Sequence, residues 1–203
     1  MAHTVSSSED TGDVTISSAA EINAASVTID TSDGSGGSVD FDSTINSTTS
    51  NGALTITSGG GAVAIDNVIG GNENDHLDGL TINSTAGAGT IALAAIGADA
   101  EAGVDGGNVT IGNAATTLIT LSGADYNVNG EILVKAAATG GGNSGENIKF
   151  TAGALVEVKT DDDNITFGGS SNSAVIHLAD ATDLTVKSEG LSLIHISEPT
   201  RPY

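Results

Sequence analysis

The sequence predicts an all-β parallel solenoid, and three observations predict it. The first is a unit that occurs twice, 26 residues apart. Leu54-Thr-Ile-Thr, a Gly-rich turn, Val63-Ala-Ile65 and Ile69-Gly70 are answered by Leu80-Thr-Ile-Asn, a Gly-Ala turn, Ile91-Ala-Leu93 and Ile96-Gly97. An apolar-Thr-apolar triplet puts its outer residues on one face of a strand and its Thr on the other, so each copy reads as two short half-buried strands. The second observation is the persistence of that phase. Units begin at Val27, Leu54, Leu80, Val109 and Ile165, with steps of 26 to 29 residues and a final interval of two such steps. Self-similarity on that scale is the signature of stacked coils. The third is composition: with 28 Gly and 2% aromatic residues, the interior must be filled by Val, Ile, Leu and Ala, which suits the thin aliphatic column of a solenoid.

The elements follow in order. Val14-Thr-Ile16 and Val27-Thr-Ile29 are the first strand triplets, and Val39-Asp-Phe41 with Ile45 stands where Val63-Ala-Ile65 and Ile69 stand one unit later. Val109-Thr-Ile111 and Ile119-Thr-Leu121 form a further unit, which Ile165-Thr-Phe167 and Val175-Ile-His-Leu178 repeat. Ile148-Lys-Phe150, Leu155-Val-Glu-Val158 and Leu184-Thr-Val186 complete roughly sixteen strands. Between Asp125 and Val134, Asn129-Gly130 is flanked by apolar residues, which fits either a β-hairpin or an arc that turns the chain without pairing its flanks. Both readings stand at this point. No segment carries a helical apolar period.

Charge limits the function classes. The formal charge is −21, and Lys135, Lys149, Lys159 and Lys187 are the cations outside the last thirteen residues. Phosphate recognition rests on Lys and Arg, so nucleic acid and anionic membrane surfaces are not expected partners. Cysteine is absent, which removes disulfides, thiolate catalysis and Cys-based zinc sites. No apolar run is long enough for a membrane-spanning helix, so membrane insertion is not expected. A polysaccharide-cleaving β-helix would want cations for uronate, or a carboxylate pair in an aromatic-lined groove. Residues 1–190 hold no Arg and few aromatics, so no enzyme activity is expected.

Two segments offer oxygen ligands. Gly70-Gly71-Asn72-Glu73-Asn74-Asp75-His76-Leu77-Asp78 resembles the calcium-binding nonapeptide of repeats-in-toxin proteins, with Glu73 where that pattern has Gly. It occurs once, so it would supply half a shell, and a polar turn between strands is the plainer reading. Asp161-Asp162-Asp163-Asn164 is a second acidic turn. Asp75, Asp78, Asp161 and Asp163 are therefore the candidate metal ligands, calcium the candidate ion, and no other cofactor is expected. His3, His76 and His177 lack metal-ligand spacing, and His177 falls on an outward strand face. Thr15, Thr28, Thr55, Thr81, Thr110, Thr120, Thr166 and Thr185 would also face outward; stacked on one side they would form a ladder like those of ice-binding solenoids. The variation in unit length argues against the regularity such a surface needs.

Gly37-Ser-Val-Asp-Phe-Asp-Ser-Thr-Ile45-Asn46, Gly52-Ala-Leu-Thr-Ile56 and Asp78-Gly-Leu-Thr-Ile82-Asn83 resemble the repeats of large bacterial surface exoproteins of the filamentous-haemagglutinin-like, β-strand-repeat adhesin type. The resemblance spans residues 27–190. It implies a right-handed parallel β-helix, an extracellular or cell-surface location, and a stalk or adhesin role beside neighbouring repeats of a parent chain or a cell-surface or glycan receptor. Residues 1–190 are expected to be one solenoid segment, an internal fragment of a longer repeat protein. From Leu191 the Gly-rich texture stops, and Leu-Ser-Leu-Ile-His-Ile-Ser-Glu-Pro-Thr-Arg201 resembles translated sequencing-adapter read-through. Residues 191–203 are accordingly expected to be a non-native tail.

Overall fold

A computed structural model of the chain describes residues 2–6, 12–33, 36–48, 52–72, 74–85, 89–98, 102–137, 147–169, 175–179, 182–188 and 195–196. Its strands in chain order are β1 (Ala2–Ser6), β2 (Val14–Ile16), β3 (Ala20–Glu21), β4 (Ser26–Thr31) and β5 (Val39–Phe41). Next come β6 (Ile45–Asn46), β7 (Ala53–Ser58), β8 (Val63–Ile65), β9 (Gly79–Ser84) and β10 (Thr90–Leu93). The third group is β11 (Val109–Ile111), β12 (Leu118–Leu121), β13 (Asp125–Val128), β14 (Ile132–Ala136) and β15 (Ile148–Phe150). The last are β16 (Leu155–Thr160), β17 (Ile165–Gly169), β18 (Ile176–Leu178), β19 (Asp183–Ser188) and β20 (His195–Ile196).

Every strand pairing is parallel, and no helix occurs among the described residues. One sheet runs β1-β4-β7-β9-β11-β14-β17-β20 and a second β18-β15-β12-β10-β8-β5-β2. The coils thus stack into a parallel β-solenoid. Apolar residues at alternate positions point inward because a strand projects successive side chains to opposite faces. Leu54, Ile56, Val63, Ile65, Leu80, Ile82, Ile91, Leu93, Val109 and Ile111 are all buried. Each lies beside its counterpart in the next coil: Val27, Leu54, Leu80, Val109, Ile132 and Ile165 share one register.

A third side completes the cross-section. β3 pairs with β6, and β13, β16 and β19 form a separate sheet. Single-residue bridges join the two, linking Ile45 to Ile69, Ile69 to Ile96 and Ile96 to Tyr126. A parallel column, Leu77 to Val104 to Val128, lies further along the same side, eight residues after Ile69 and Ile96 and two after Tyr126.

The segment that admits two readings from sequence is an arc. β13 belongs to the third side and β14 to the first sheet, so Asn129-Gly130 turns a corner instead of closing a hairpin. This also resolves the long interval from Val109 to Ile165, which Ile132 divides into unequal steps of 23 and 33 residues. The strands keep register while the turns absorb the difference in length.

Inside the corners, buried hydroxyls take up carbonyls that the sheets do not satisfy. Thr31 Oγ1 donates to Gly37 O at 2.8 Å, Ser47 Oγ to Ile22 O at 2.9 Å, and Ser84 Oγ to Gly59 O at 2.7 Å. An unpaired buried carbonyl would cost about 1–3 kcal/mol, so these small polar residues belong to the core as much as its aliphatic columns do. At the end of the chain, Thr166 and Phe167 pair with His195 and Ile196, which places part of the 191–203 segment along the edge of β17.

Candidate functional site

The acidic residues singled out from sequence occupy one corner of the solenoid at different heights. Asp78, Asp105, Asn129 and Asp161 each follow a residue of one continuous register, Leu77, Val104, Val128 and Thr160. Asp78 and Asp161 are thus three strand spacings apart, roughly 14 Å, too far to share an ion. Asp75 closes its own turn. Its carboxylate accepts from Asn72 Nδ2 at 2.8 Å, and its N–H donates to Asn72 O at 3.0 Å. Glu73, the departure from the nonapeptide pattern, lies outside the described residues.

Asp161, Asp162 and Asp163 are exposed. Asp162 takes a φ of +64°, and the Asp163 carbonyl accepts from Thr160 Oγ1 at 2.6 Å and from Ser188 Oγ at 3.1 Å. That turn is closed by its neighbours' hydroxyls. Between the two acidic turns, His76 Nε2 lies 3.3 Å from Asp105 Oδ2, while Asp105 Oδ1 accepts from Asn129 Nδ2. The corner is a chain of polar contacts from coil to coil.

The three carboxylates that do converge are Asp40, Asp42 and Asp66, with ligand oxygens all within 4.8 Å of one another. β5 and β8 place them. Asp40 projects outward between Val39 and Phe41, beside Ala64, and Asp42 and Asp66 follow the paired Phe41 and Ile65. Asp66 N–H donates to Phe41 O at 3.0 Å and Asp42 N–H to Ile16 O at 3.1 Å, which fixes both residues at successive levels. Burial pushes the Asp40 carboxyl above its ordinary value, and the Asp42 and Asp66 charges push it further the same way. Oxygen-only clusters of this kind suit hard cations, and here neutralising charge would relieve repulsion. The signal was present in the sequence: aligning Val39-Asp-Phe41-Asp42 with Val63-Ala-Ile65-Asp66 puts Asp42 and Asp66 side by side.

The Thr residues divide among the faces. Thr4, Thr28, Thr55, Thr81 and Thr110 stand in direct register on the first sheet, Leu133 interrupts, and Thr166 resumes. Thr15 and Thr120 belong to the second sheet and Thr185 to the third side. Unequal coils do not disturb the ladder, because the turns take up the difference. His177 aligns with Lys149 on the outward face of β18.

No helix among the described residues is long and apolar enough to cross a membrane. Comparison with protein-family models, with curated proteins and with solved structures finds no match.

Proposed function

We propose that the chain is a structural segment, a stalk or adhesin portion, of a large bacterial cell-surface or secreted repeat protein, and that it performs no catalysis. The observation that carries the reading is the continuous register from β4 to β17. Each coil is laid on the last with the same residues inward, so the molecule extends along one axis by repetition. The resemblance of residues 27–190 to exoprotein repeats supports the extracellular setting. In it, the partners are neighbouring repeats of a parent chain and a cell-surface or glycan receptor. The strong negative charge keeps such a coil soluble and away from nucleic acid.

A second reading, a calcium-stabilised extracellular module, is favoured by the convergence of Asp40, Asp42 and Asp66. The third, a carbohydrate-active β-helix, has no observation of its own. The stalk reading is tested by repeating residues 12–188 in tandem. Small-angle scattering is expected to show a rod that lengthens with each repeat at constant cross-section, with no polysaccharide cleaved on incubation. Compaction of the tandem chain, or release of new reducing ends from a glycan, would contradict it.

A further inference from the structure

An Asn side chain carries an amide within reach of the next residue's backbone nitrogen, and a following Gly, with no Cβ, leaves that approach open. Of the two Asn-Gly pairs in the chain, Asn51-Gly52 begins outside the described residues and Asn129-Gly130 lies within them, at the arc between β13 and β14. Asn129 and Gly130 are both partly exposed. Among the described residues the Gly130 N–H makes no hydrogen bond, so the nitrogen that would attack is unengaged.

The surroundings hold the pair still. Asn129 N–H donates to Val104 O at 3.0 Å, and Glu131 N–H donates to Asn108 Oδ1 at 3.1 Å. A Cβ at Gly130 would lie 2.2 Å from Gly107 O, so the Gly130 backbone abuts the coil before it. The amide itself is tied by Asp105: Asn129 Nδ2 donates to Asp105 Oδ1, while Asp105 Oδ2 lies 3.3 Å from His76 Nε2. In the column Asp78, Asp105, Asn129, Asp161, Asn129 is the uncharged member, set between two carboxylates.

We infer that Asn129 is a site of self-modification by deamidation, with water as co-reactant, and that its hydrogen bond to Asp105 is the latch that delays the reaction. The Gly130 nitrogen bonds to Asn129 Cγ and gives up its proton, and the Cγ–Nδ2 bond breaks to release ammonia. Water then opens the cyclic imide at one of its two carbonyls, leaving either an aspartate or an isoaspartate at that position. Either product adds a negative charge between Asp105 and Asp161, and like charges directly opposite on neighbouring strands are destabilising. Isoaspartate also lengthens the backbone by one carbon where Gly130 already abuts Gly107. A corner that has opened and reacted therefore does not close again as before. The inference rests on this corner and not on the adhesin reading.

The full chain is incubated in mildly alkaline buffer, peptide mapping by mass spectrometry locates the deamidation, and an isoaspartyl methyltransferase reads the isoaspartate. Conversion at Asn129 is expected to be about tenfold slower in native buffer than in urea, because reaction requires local opening. Asp105→Ala is expected to speed native conversion about tenfold, the effect of losing one hydrogen bond to a charged group. His76→Ala removes the other Asp105 contact and is expected to keep the parental rate. Thermal melts establish that these variants are folded; should Asp105→Ala not fold, Asp105→Asn, which keeps an uncharged acceptor, is expected to react faster than the parent. Asn129→Asp makes the product in advance and is expected to melt lower than the parent, with the difference shrinking as salt screens the carboxylates. Native conversion as fast as in urea, folded Asp105 variants no faster than the parent, His76→Ala as fast as Asp105→Ala, or an Asn129→Asp chain that melts with the parent at low salt would each overturn the inference.

Discussion

Tyr126 reaches back across one coil to donate its hydroxyl to the carbonyl of Ala94 at 2.6 Å, and accepts from the Gly123 N–H at 2.9 Å. The ring is buried in the register of Ile69 and Ile96, packed edge-on against Phe150 at 6.4 Å between centroids. Tyr126 therefore joins a corner turn to the core. Tyr126→Phe keeps the ring and removes both hydroxyl bonds, so it is expected to cost about 1–3 kcal/mol in denaturant unfolding.

The same residue sets an alkaline limit. Burial pushes the Tyr126 phenol above its ordinary value, with the Asp125 charge adding to it and the Gly123 hydrogen bond opposing. The folded state thus holds this proton more tightly than the unfolded chain, whose phenol titrates near about 10. The contribution is complete below that pH and is lost as pH rises toward the higher folded value. Stability measured between pH 9 and 11.5 is expected to fall more steeply for the parent than for Tyr126→Phe. Equal slopes would place the alkaline sensitivity elsewhere.

Asp40 works in the opposite region of the pH scale. Its carboxyl is raised by burial and then by Asp42 and Asp66, so the fold gains stability as pH falls through the raised value toward the ordinary carboxyl range near about 3.9. At pH 7 the charge on Asp40 is a burden. Asp40→Asn is expected to raise the melting temperature at pH 7 and to reduce the further gain from about 1 mM calcium, which relieves the same repulsion. Asp75→Ala should leave the calcium response in place, because Asp75 is engaged by Asn72. A calcium-specific gain that magnesium does not reproduce and that Asp75→Ala removes would reverse the assignment.

Coil spacing at one corner depends on Gly70. It has a φ of +61°, and a Cβ there would lie 2.4 Å from the carbonyl oxygen of Gly103 in the next coil. Gly70→Ala is expected to cost several kcal/mol, on the order of the largest single-residue effects, since both the backbone angle and the contact must yield. Thermal unfolding checks this.

The terminal segment gives a smaller effect. In the described residues β20 adds only two residues to the edge of β17, so ending the chain at Gly190 is expected to shift the melting temperature of dilute protein by less than about 3 °C. A larger loss would make Leu191 to Ile196 part of the last coil.

The first two sides of the coil were legible because their strands alternate: Leu54-Thr-Ile56 and Val63-Ala-Ile65 each show both faces of a pleat within three residues. The third side was legible in part: the recurrence of Ile45, Ile69 and Ile96 marked one column and Leu155-Val-Glu-Val158 and Leu184-Thr-Val186 its later strands, whereas Leu77 and Val104 pair through single residues, too short to display a period. Ile132 escaped the unit count for a related reason. Its coil is short and the next is long, so a search for equal spacing steps over it. The acidic turns stood out as runs, whereas Asp40, Asp42 and Asp66 come together only when two coils are superposed, and proximity between coils is invisible within either one.

The central claim is that neighbouring coils, 26 residues apart, lie parallel and in register. The chain has no Cys, so paired substitutions report on it directly. Thr55 and Thr81 stand side by side on the outer face of the first sheet, where adjacent strands are about 4.8 Å apart and within reach of a disulfide. Thr110 and Thr120 belong to different sheets here, but would be cross-strand partners if β11 and β12 formed a hairpin. Under mild oxidation at low protein concentration, the Thr55→Cys/Thr81→Cys chain is expected to cross-link internally and rapidly, and the Thr110→Cys/Thr120→Cys chain to remain reduced. The reverse pattern would contradict the parallel solenoid.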